Sequence, residues 1–123
     1  MKKIFSIIYG LFGAGAILYG AAALLLPAAI VPESAQSFPL AHIFREQGAA
    51  AIFVGLMFFW CVFNYERRHG VHYCLMVLAF LLAAIHWFDH FAGHMSWISP
   101  LYNTVPFVVL SIMAVISRSR EKT

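Results

Sequence analysis

Charge is scarce in this chain, and that scarcity narrows the class of protein before any motif is considered. Only 11% of the 123 residues are charged, whereas 63% are hydrophobic, and the mean hydropathy is +0.83. A typical soluble domain is about half apolar and about a quarter charged. The composition therefore excludes an ordinary water-soluble domain and indicates a protein that lies in a lipid bilayer.

Enzyme motifs and cysteines are also largely missing. The sequence contains no G-x-S-x-G, H-E-x-x-H or C-x-x-C motif and no phosphate-cradling glycine loop. Cys61 and Cys74 are the only cysteines, which excludes a disulfide scaffold. We expect both to be buried as small apolar side chains, with a redox pair as the alternative because both lie close to one short turn. The net charge is +3, but no continuous basic face exists, so no nucleic-acid partner is expected.

Long hydrophobic runs are what the chain does contain. Four apolar segments cover residues of about 4–26, 41–64, 71–92 and 100–117, and each is long enough to cross the hydrocarbon core as a helix. The first is longer than the apolar region of about 7–15 residues in a signal peptide, so we expect a retained helix. Prolines break the stretch 31–39, and Ser99 with Pro100 is expected to cap the fourth segment. The fold class predicted is all-α: a four-transmembrane-helix antiparallel bundle, a polytopic membrane protein with one domain over residues 1–123.

Small residues recur at spacings that let helices approach each other closely. They include Gly10 with Ala14 and Ala16 with Gly20 in the first segment, and Gly48, Ala51 and Gly55 in the second. Such faces form packing seams between membrane helices. They are also the surfaces through which we expect a homo-oligomer or a partner membrane subunit to dock.

The basic residues predict an orientation. Seven of the eight lie at one set of segment ends: Lys2, Lys3, Arg67, Arg68, Arg118, Arg120 and Lys122. Because cytoplasmic loops carry an excess of Lys and Arg, both termini are expected in the cytoplasm, with the protein in a bacterial inner membrane. His69 and His72 lie at this basic end and are expected to be solvated.

The opposite segment ends carry a polar cluster. It comprises His42, Arg45 and Glu46 on the second segment, His86, Asp89, His90 and His94 on the third, and Asn103 with Thr104 on the fourth. On a helix of 100° per residue, the four residues of the third segment share an arc of about 140°. A charged side chain at the centre of a membrane costs about 2.5–3.5 kcal/mol or more, so each of these residues needs a reason to be there.

Three interpretations of this cluster stay open. In the first, Arg45 pairs with Asp89 or Glu46 and the histidines only lock the helices together. In the second, His86 and His90 hold a transition metal, completed by His42, Glu46 or His94, or a haem is bound between two helices by a pair such as His42 and His90. In the third, the cluster binds a lipid-soluble molecule such as a quinone, or an anion, with Arg45 as the anchor and His or Asp carrying protons. Its ligand-binding candidates are Arg45, Glu46, His86, Asp89, His90 and Asn103.

Part of this pattern resembles a known group of proteins. The shared features are Arg45, Gly48 and Gly55 on the second segment, His86 and His90 on the third, and Asn103 at the start of the fourth. The chain from about Leu11 to Ile116 resembles small four-helix bacterial membrane proteins of the BphX-like and DoxX-like kind. Asp89, His94 and His42 do not match that pattern. DoxX relatives are associated with quinone-linked or thiol redox systems, so the resemblance implies a redox-accessory role. The alternative expectation is a structural or interaction subunit.

Overall fold

The chain is built almost entirely from helices. The computed structural model describes residues 2–30, 38–64 and 69–121. Its helices are α1 (Lys2–Leu25), α2 (Pro27–Ile30), α3 (Phe38–Asn64), α4 (His69–Phe91) and α5 (Ile98–Glu121), and these ranges contain no strand. The predicted all-α class with four long helices is therefore confirmed.

Each long helix meets the requirements of a membrane span. The apolar stretches are Lys3–Leu25, Leu40–Phe63, His69–Phe91 and Ile98–Arg118, with lengths of 23, 24, 23 and 21 residues. A helix of about 20 apolar residues crosses the hydrocarbon core. Only 22% of the most apolar part of each stretch is buried inside the protein, so most of its side chains are left for the acyl chains of lipids to cover. This architecture is that of a multi-pass membrane protein.

Contacts divide the molecule into two compact units. The first contains α1, α2 and α3, and the second contains α4 and α5. In each unit two long helices pack against one another as a hairpin. The two hairpins use different means to hold their helices together.

The first hairpin is held by glycines that face each other across α1 and α3. A Cβ added to Gly20 would lie 2.6 Å from the carbonyl oxygen of Gly48, and one added to Gly48 would lie 2.7 Å from that of Gly20. Gly13 and Gly55 face each other in the same way, at 3.1 and 2.8 Å. These distances leave no room for a methyl group, so the two backbones are in direct contact. Since the pairing runs from Gly13–Gly55 to Gly20–Gly48, the helices are antiparallel.

The facing pairs recur at seven-residue steps. One step before the Gly13–Gly55 pair, Ser6 donates a hydrogen bond from Oγ to the carbonyl oxygen of Val62, at 3.1 Å. A seven-residue repeat stays on one seam when two helices coil around each other with a left-handed twist. Of the glycines in the four-residue spacings predicted for α1, Gly20 is on this seam, whereas nothing lies within 4 Å of a Cβ added to Gly10.

The glycine seam generates a prediction about stability. Gly20→Ala should lower the free energy of unfolding in lipid bicelles by about 1–3 kcal/mol, because the new methyl group forces the backbones apart. Gly15→Ala is the matched control on the same helix. A Cβ there meets nothing within 4 Å, and its effect should stay within about 0.5 kcal/mol. Equal effects of the two substitutions would contradict the seam.

The second hairpin is held by side-chain hydrogen bonds as well as by packing. His72 meets Leu110 near one end of the hairpin, and Trp87 meets Thr104 near the other. Residue numbers rise along α4 as they fall along α5, so this pair is antiparallel too. Between these two bonds, Phe80 and Phe107 pack with their ring centroids 5.4 Å apart.

His72 is the largest departure from the expectations at the basic end. It was expected to be solvated, but it is 1% exposed. Its ring atom Nε2 donates to the carbonyl oxygen of Leu110 at 3.0 Å. A buried polar group without a partner is costly, and this bond satisfies the ring while it ties α4 to α5. The sequence concealed this role because His72 lies in the first turn of α4, where solvation is the usual outcome.

The role of His72 can be tested by removing its donor. His72→Leu should lower the free energy of unfolding by about 0.5–1.5 kcal/mol, whereas His72→Gln, which keeps a donor at a similar distance from the backbone, should recover part of the loss. Thermal unfolding in one detergent, followed by circular dichroism, compares the two. If His72→Leu is as stable as the unmodified protein, the bond to Leu110 contributes nothing.

The four long helices begin two or three residues before the predicted positions, and their C-terminal ends differ from the predicted ones by up to four residues. The helix α3 begins at Phe38, before Pro39, and α5 begins at Ile98, so Ser99 is inside the helix instead of capping it. Proline is tolerated in both first turns because the N–H groups there have no partner within the helix. The short helix α2, Pro27–Ile30, was not predicted and begins at such a proline.

Candidate functional site

The α4–α5 connection sets the geometry of the histidine-rich end. The helix α4 ends at Phe91, and Gly93 has a positive φ of 80°. The N–H of His94 donates to the carbonyl oxygen of Asp89 and the N–H of Gly93 to that of His90, both at 2.9 Å. These two bonds form a Schellman motif, in which glycine takes the left-handed conformation that reverses the chain. The sequence run Ala92-Gly93-His94 therefore ends the helix before it reaches His94.

His94 is accordingly not on the helical face assigned to it. The predicted arc of about 140° extended the helix to His94, and this was wrong because the chain turns at Gly93. His94 is exposed in the loop. The residues that share the end of α4 are His86, Asp89 and His90, all half-buried.

His86 and His90 each use one ring nitrogen to bond the backbone. Nδ1 of His86 donates to the carbonyl oxygen of Leu82 at 2.8 Å, and Nδ1 of His90 donates to that of Met95 at 3.0 Å. A carbonyl oxygen only accepts, so the proton of each neutral ring must be on Nδ1. The Nε2 atom of each ring then presents a lone pair, and no other polar contact to either ring occurs in the part of the chain that the structure describes.

The two rings are turned in opposite directions along the chain. His86 bonds a carbonyl four residues before it, whereas His90 bonds one five residues after it. Two imidazoles at i and i+4 share an ion only when their free nitrogens converge. Within residues 2–30, 38–64 and 69–121, no group of three or more His, Cys, Asp or Glu side chains is arranged to hold a metal. The metal set of His42, His86, His90 and His94 stays a prediction.

Trp87 is a neighbour of His90 that was not among the candidate residues. Its Nε1 donates to Oγ1 of Thr104 at 3.0 Å. Its ring lies edge-on to that of His90, with centroids 5.9 Å apart, and stacks on Phe91 at 5.6 Å. A half-buried indole N–H generally finds a partner, and Thr104 was already placed at a similar depth. An indole N–H and a threonine hydroxyl at the same depth were thus the sequence signal for this bond. Trp87 therefore holds one edge of the His90 ring in place.

The beginning of α5 supplies the other polar groups of this end. Thr104 donates from Oγ1 to the carbonyl oxygen of Pro100 at 2.8 Å, and Asn103 donates from Nδ2 to that of Ser99 at 2.9 Å. Asn103 thus uses one of its two amide N–H donors within its own helix. Its amide oxygen has no hydrogen bond in the described part of the chain and can accept one. The same holds for the carboxylate of Asp89.

The three candidates on α3 lie near the start of that helix. Nε2 of His42 approaches Oε1 of Glu46 to 3.3 Å, one helical turn apart, and both side chains are more than half exposed. Glu46 therefore pairs with His42 and not with Arg45, which is exposed. Of the two partners suggested for Arg45 in the first interpretation, Glu46 was wrong, because residues four apart face each other on a helix and adjacent residues do not.

The structure thus brings the candidates together in two groups. One contains His42, Arg45 and Glu46 in the first unit. The other contains His86, Asp89, His90 and Asn103 in the second unit. A single pocket formed by both groups, and with it an Arg45–Asp89 pair, stays a prediction.

The cysteines divide between the two environments. Cys61 is buried in α3, as expected, whereas Cys74 is exposed on α4. The expectation that both are buried was wrong for Cys74, because its position on α4 points away from the seam that contains His72 and Leu75. Neither thiol forms a disulfide.

Comparison with known proteins adds no functional assignment. No protein-family model, curated protein or solved structure matches this chain. The resemblance to the BphX-like and DoxX-like proteins therefore stays a prediction.

Proposed function

We propose that the chain is an integral protein of a bacterial inner membrane that binds a small, lipid-soluble hydroquinone at the end of α4. The observation that carries the proposal is the state of the two histidines. His86 and His90 both commit Nδ1–H to backbone carbonyls, which leaves two Nε2 lone pairs at the membrane boundary. The orientation proposed places both termini in the cytoplasm, supported by the basic residues at that end.

A lone-pair nitrogen selects the chemistry of its ligand. A neutral imidazole that already donates through Nδ1 can only accept at Nε2. A hydroquinone offers hydroxyl donors, whereas the carbonyl oxygens of the oxidised quinone are acceptors only. The same lone pair at Nε2 can take up the hydroxyl proton. The bond from Nδ1 to the backbone is retained in both protonation states.

The surroundings suit an aromatic ligand that enters from the bilayer. Phe88 and Phe91 flank His90 along α4 and are 72% and 78% exposed, so they offer ring surfaces at the level where lipid meets water. The carboxylate of Asp89 and the amide oxygen of Asn103 are further acceptors at the same end. These groups would pass a proton on or hold the second hydroxyl. A DoxX-like redox-accessory role agrees with this chemistry.

Asparagine substitution tests the acceptor role without removing the structural bond. His90→Asn keeps a donor near the position of Nδ1 for the carbonyl of Met95 but has no group at Nε2, and His86→Asn does the same for Leu82. Each should weaken binding of decylubiquinol to the protein in nanodiscs about fivefold, the value of one hydrogen bond. His69→Asn, at the other end of α4, is the matched control and should bind as the unmodified protein does.

Titration by fluorescence quenching or by equilibrium partition measures the affinity. Unfolding temperatures should be similar among the variants, since each asparagine keeps the hydrogen bond to its backbone carbonyl. Affinity unchanged by both asparagine substitutions would exclude the site, and lower stability with unchanged affinity would assign the histidines to the structural role of an interaction subunit.

A metal or haem centre is the second candidate, and one observation favours it. A ring nitrogen that donates to a backbone carbonyl is the usual support of a metal-binding histidine, and both His86 and His90 have it. If this candidate is correct, protein purified without chelators should carry nearly one metal ion per chain, and His86→Asn should abolish it. Elemental analysis measures the metal content, and an absorption spectrum detects haem. A colourless, metal-free protein would rule out a tightly bound ion or haem.

A further inference from the structure

A second polar arrangement lies at the other end of the α4–α5 hairpin. Nε of Arg118 donates to the hydroxyl oxygen of Tyr73 at 3.0 Å. The guanidinium carbon also lies over the same ring, 5.4 Å from its centroid. A hydrogen bond and a cation–π contact thus hold one long side chain against another.

These restraints leave a set of donors free and oriented. A guanidinium has five N–H groups, and only Nε–H is used, so the outer edge formed by the two Nη atoms can still donate twice. The hydroxyl of Tyr73 accepts from Arg118 and still has its own proton to donate. Among the residues whose side chains the structure describes, which exclude residues 119–121, no other hydrogen bond or ion pair to either side chain occurs. The parallel Nη donors match two oxygens of a phosphate.

The position of these donors identifies the source of the phosphate. Arg118 is the last residue of the fourth span, and Tyr73 lies in the second turn of the third, which begins at His69. Tyrosine and arginine at span ends lie at the level of the lipid headgroups. Arg118 is exposed there, so a headgroup can reach it.

The hairpin holds this end in a defined geometry. His72, next to Tyr73 in sequence, is buried and bonded to Leu110, and its ring lies edge-on to that of Tyr73 with centroids 5.8 Å apart. The bond from His72 to Leu110 fixes α4 against α5 two helical turns before Arg118. The two donors are therefore presented together and not by independent mobile side chains.

We propose that Tyr73 and Arg118 form a binding site for the phosphate of an anionic phospholipid headgroup. This site is separate from the histidine end and does not depend on the hydroquinone proposal. It differs from a general attraction of basic residues to acidic lipid, because it requires the oriented fork of Arg118 and the hydroxyl of Tyr73 as well as a positive charge.

Three substitutions separate a site from diffuse attraction. Arg118→Gln removes the charge and most donors, Arg118→Lys keeps the charge but loses the fork, and Tyr73→Phe removes only the hydroxyl. Lys3→Gln is the control, because it removes the same charge from another exposed basic side chain near a span end. The proteins are placed in nanodiscs of phosphatidylcholine with one-tenth phosphatidylglycerol, and phosphatidylglycerol retained after release into detergent is counted by native mass spectrometry.

Retention of phosphatidylglycerol should fall about fivefold in Arg118→Gln, the value of one hydrogen bond, and should fall also in Arg118→Lys and Tyr73→Phe. Lys3→Gln should retain as much lipid as the unmodified protein. Equal losses in Lys3→Gln and Arg118→Gln, or full retention in Arg118→Lys and Tyr73→Phe, would overturn the proposal in favour of diffuse attraction.

A competition experiment distinguishes the two sources of phosphate. Inorganic phosphate at the same concentration as sodium sulfate should displace no more phosphatidylglycerol than the sulfate does. Selective displacement by phosphate would overturn the lipid assignment and leave a site for the free anion. Unfolding temperatures within a few degrees of each other should show that Tyr73→Phe and Arg118→Lys still fold, so that loss of lipid reports on binding.

Discussion

The rest of this structure depends on one constraint, the need to satisfy backbone polar groups in a medium without water. Helices meet that need internally, and for this reason the four long apolar segments are helical from end to end. Once the backbone is satisfied, lipid tails are as apolar as the side chains of these helices, so the hydrophobic effect no longer brings two helices together. Association then depends on close approach and on a few directional bonds. The two hairpins rely on these means in different proportions.

In the first hairpin, glycine removes the side chain and lets one backbone touch another. The pairs Gly13–Gly55 and Gly20–Gly48 form that contact, and Ser6 extends it with a hydrogen bond to a carbonyl. In the second hairpin, bulkier side chains separate the helices, and the bonds from His72 and from Trp87 join them. The first hairpin thus tolerates little increase in side-chain volume at its glycines. The second tolerates little loss of polarity at the side chains that form its hydrogen bonds. The two proposed binding sites lie at opposite ends of the second hairpin. The histidine site is next to the Trp87 bond, and the Tyr73–Arg118 site is next to the His72 bond.

The candidate site shows how local structure changes the meaning of a residue pattern. Six histidines in the sequence are chemically alike, but the structure gives them different tasks. His72 ties two helices, His90 ties α4 to the loop that follows it, and His42 pairs with Glu46. The bond from Nδ1 to a carbonyl decides which nitrogen faces outward at His86 and His90, and so which ligands those rings can take. The chemistry proposed for this end follows from that tautomer and not from the number of histidines.

Composition and hydropathy alone determined the class of protein, the number of spans and, to within about three residues at most ends, where those spans lie, because membrane thickness fixes the length of an apolar helix. The glycines at 48 and 55 were also assigned to a seam from their spacing. Only the structure showed that Gly20 faces Gly48 and that the next facing pair lies seven residues away along each helix. It also showed that His72 is buried and that the chain turns before His94. Each of these depends on which face of one helix meets its neighbour, or on one backbone torsion. Periodicity within a single helix cannot supply that information, because it is a property of two elements packed together.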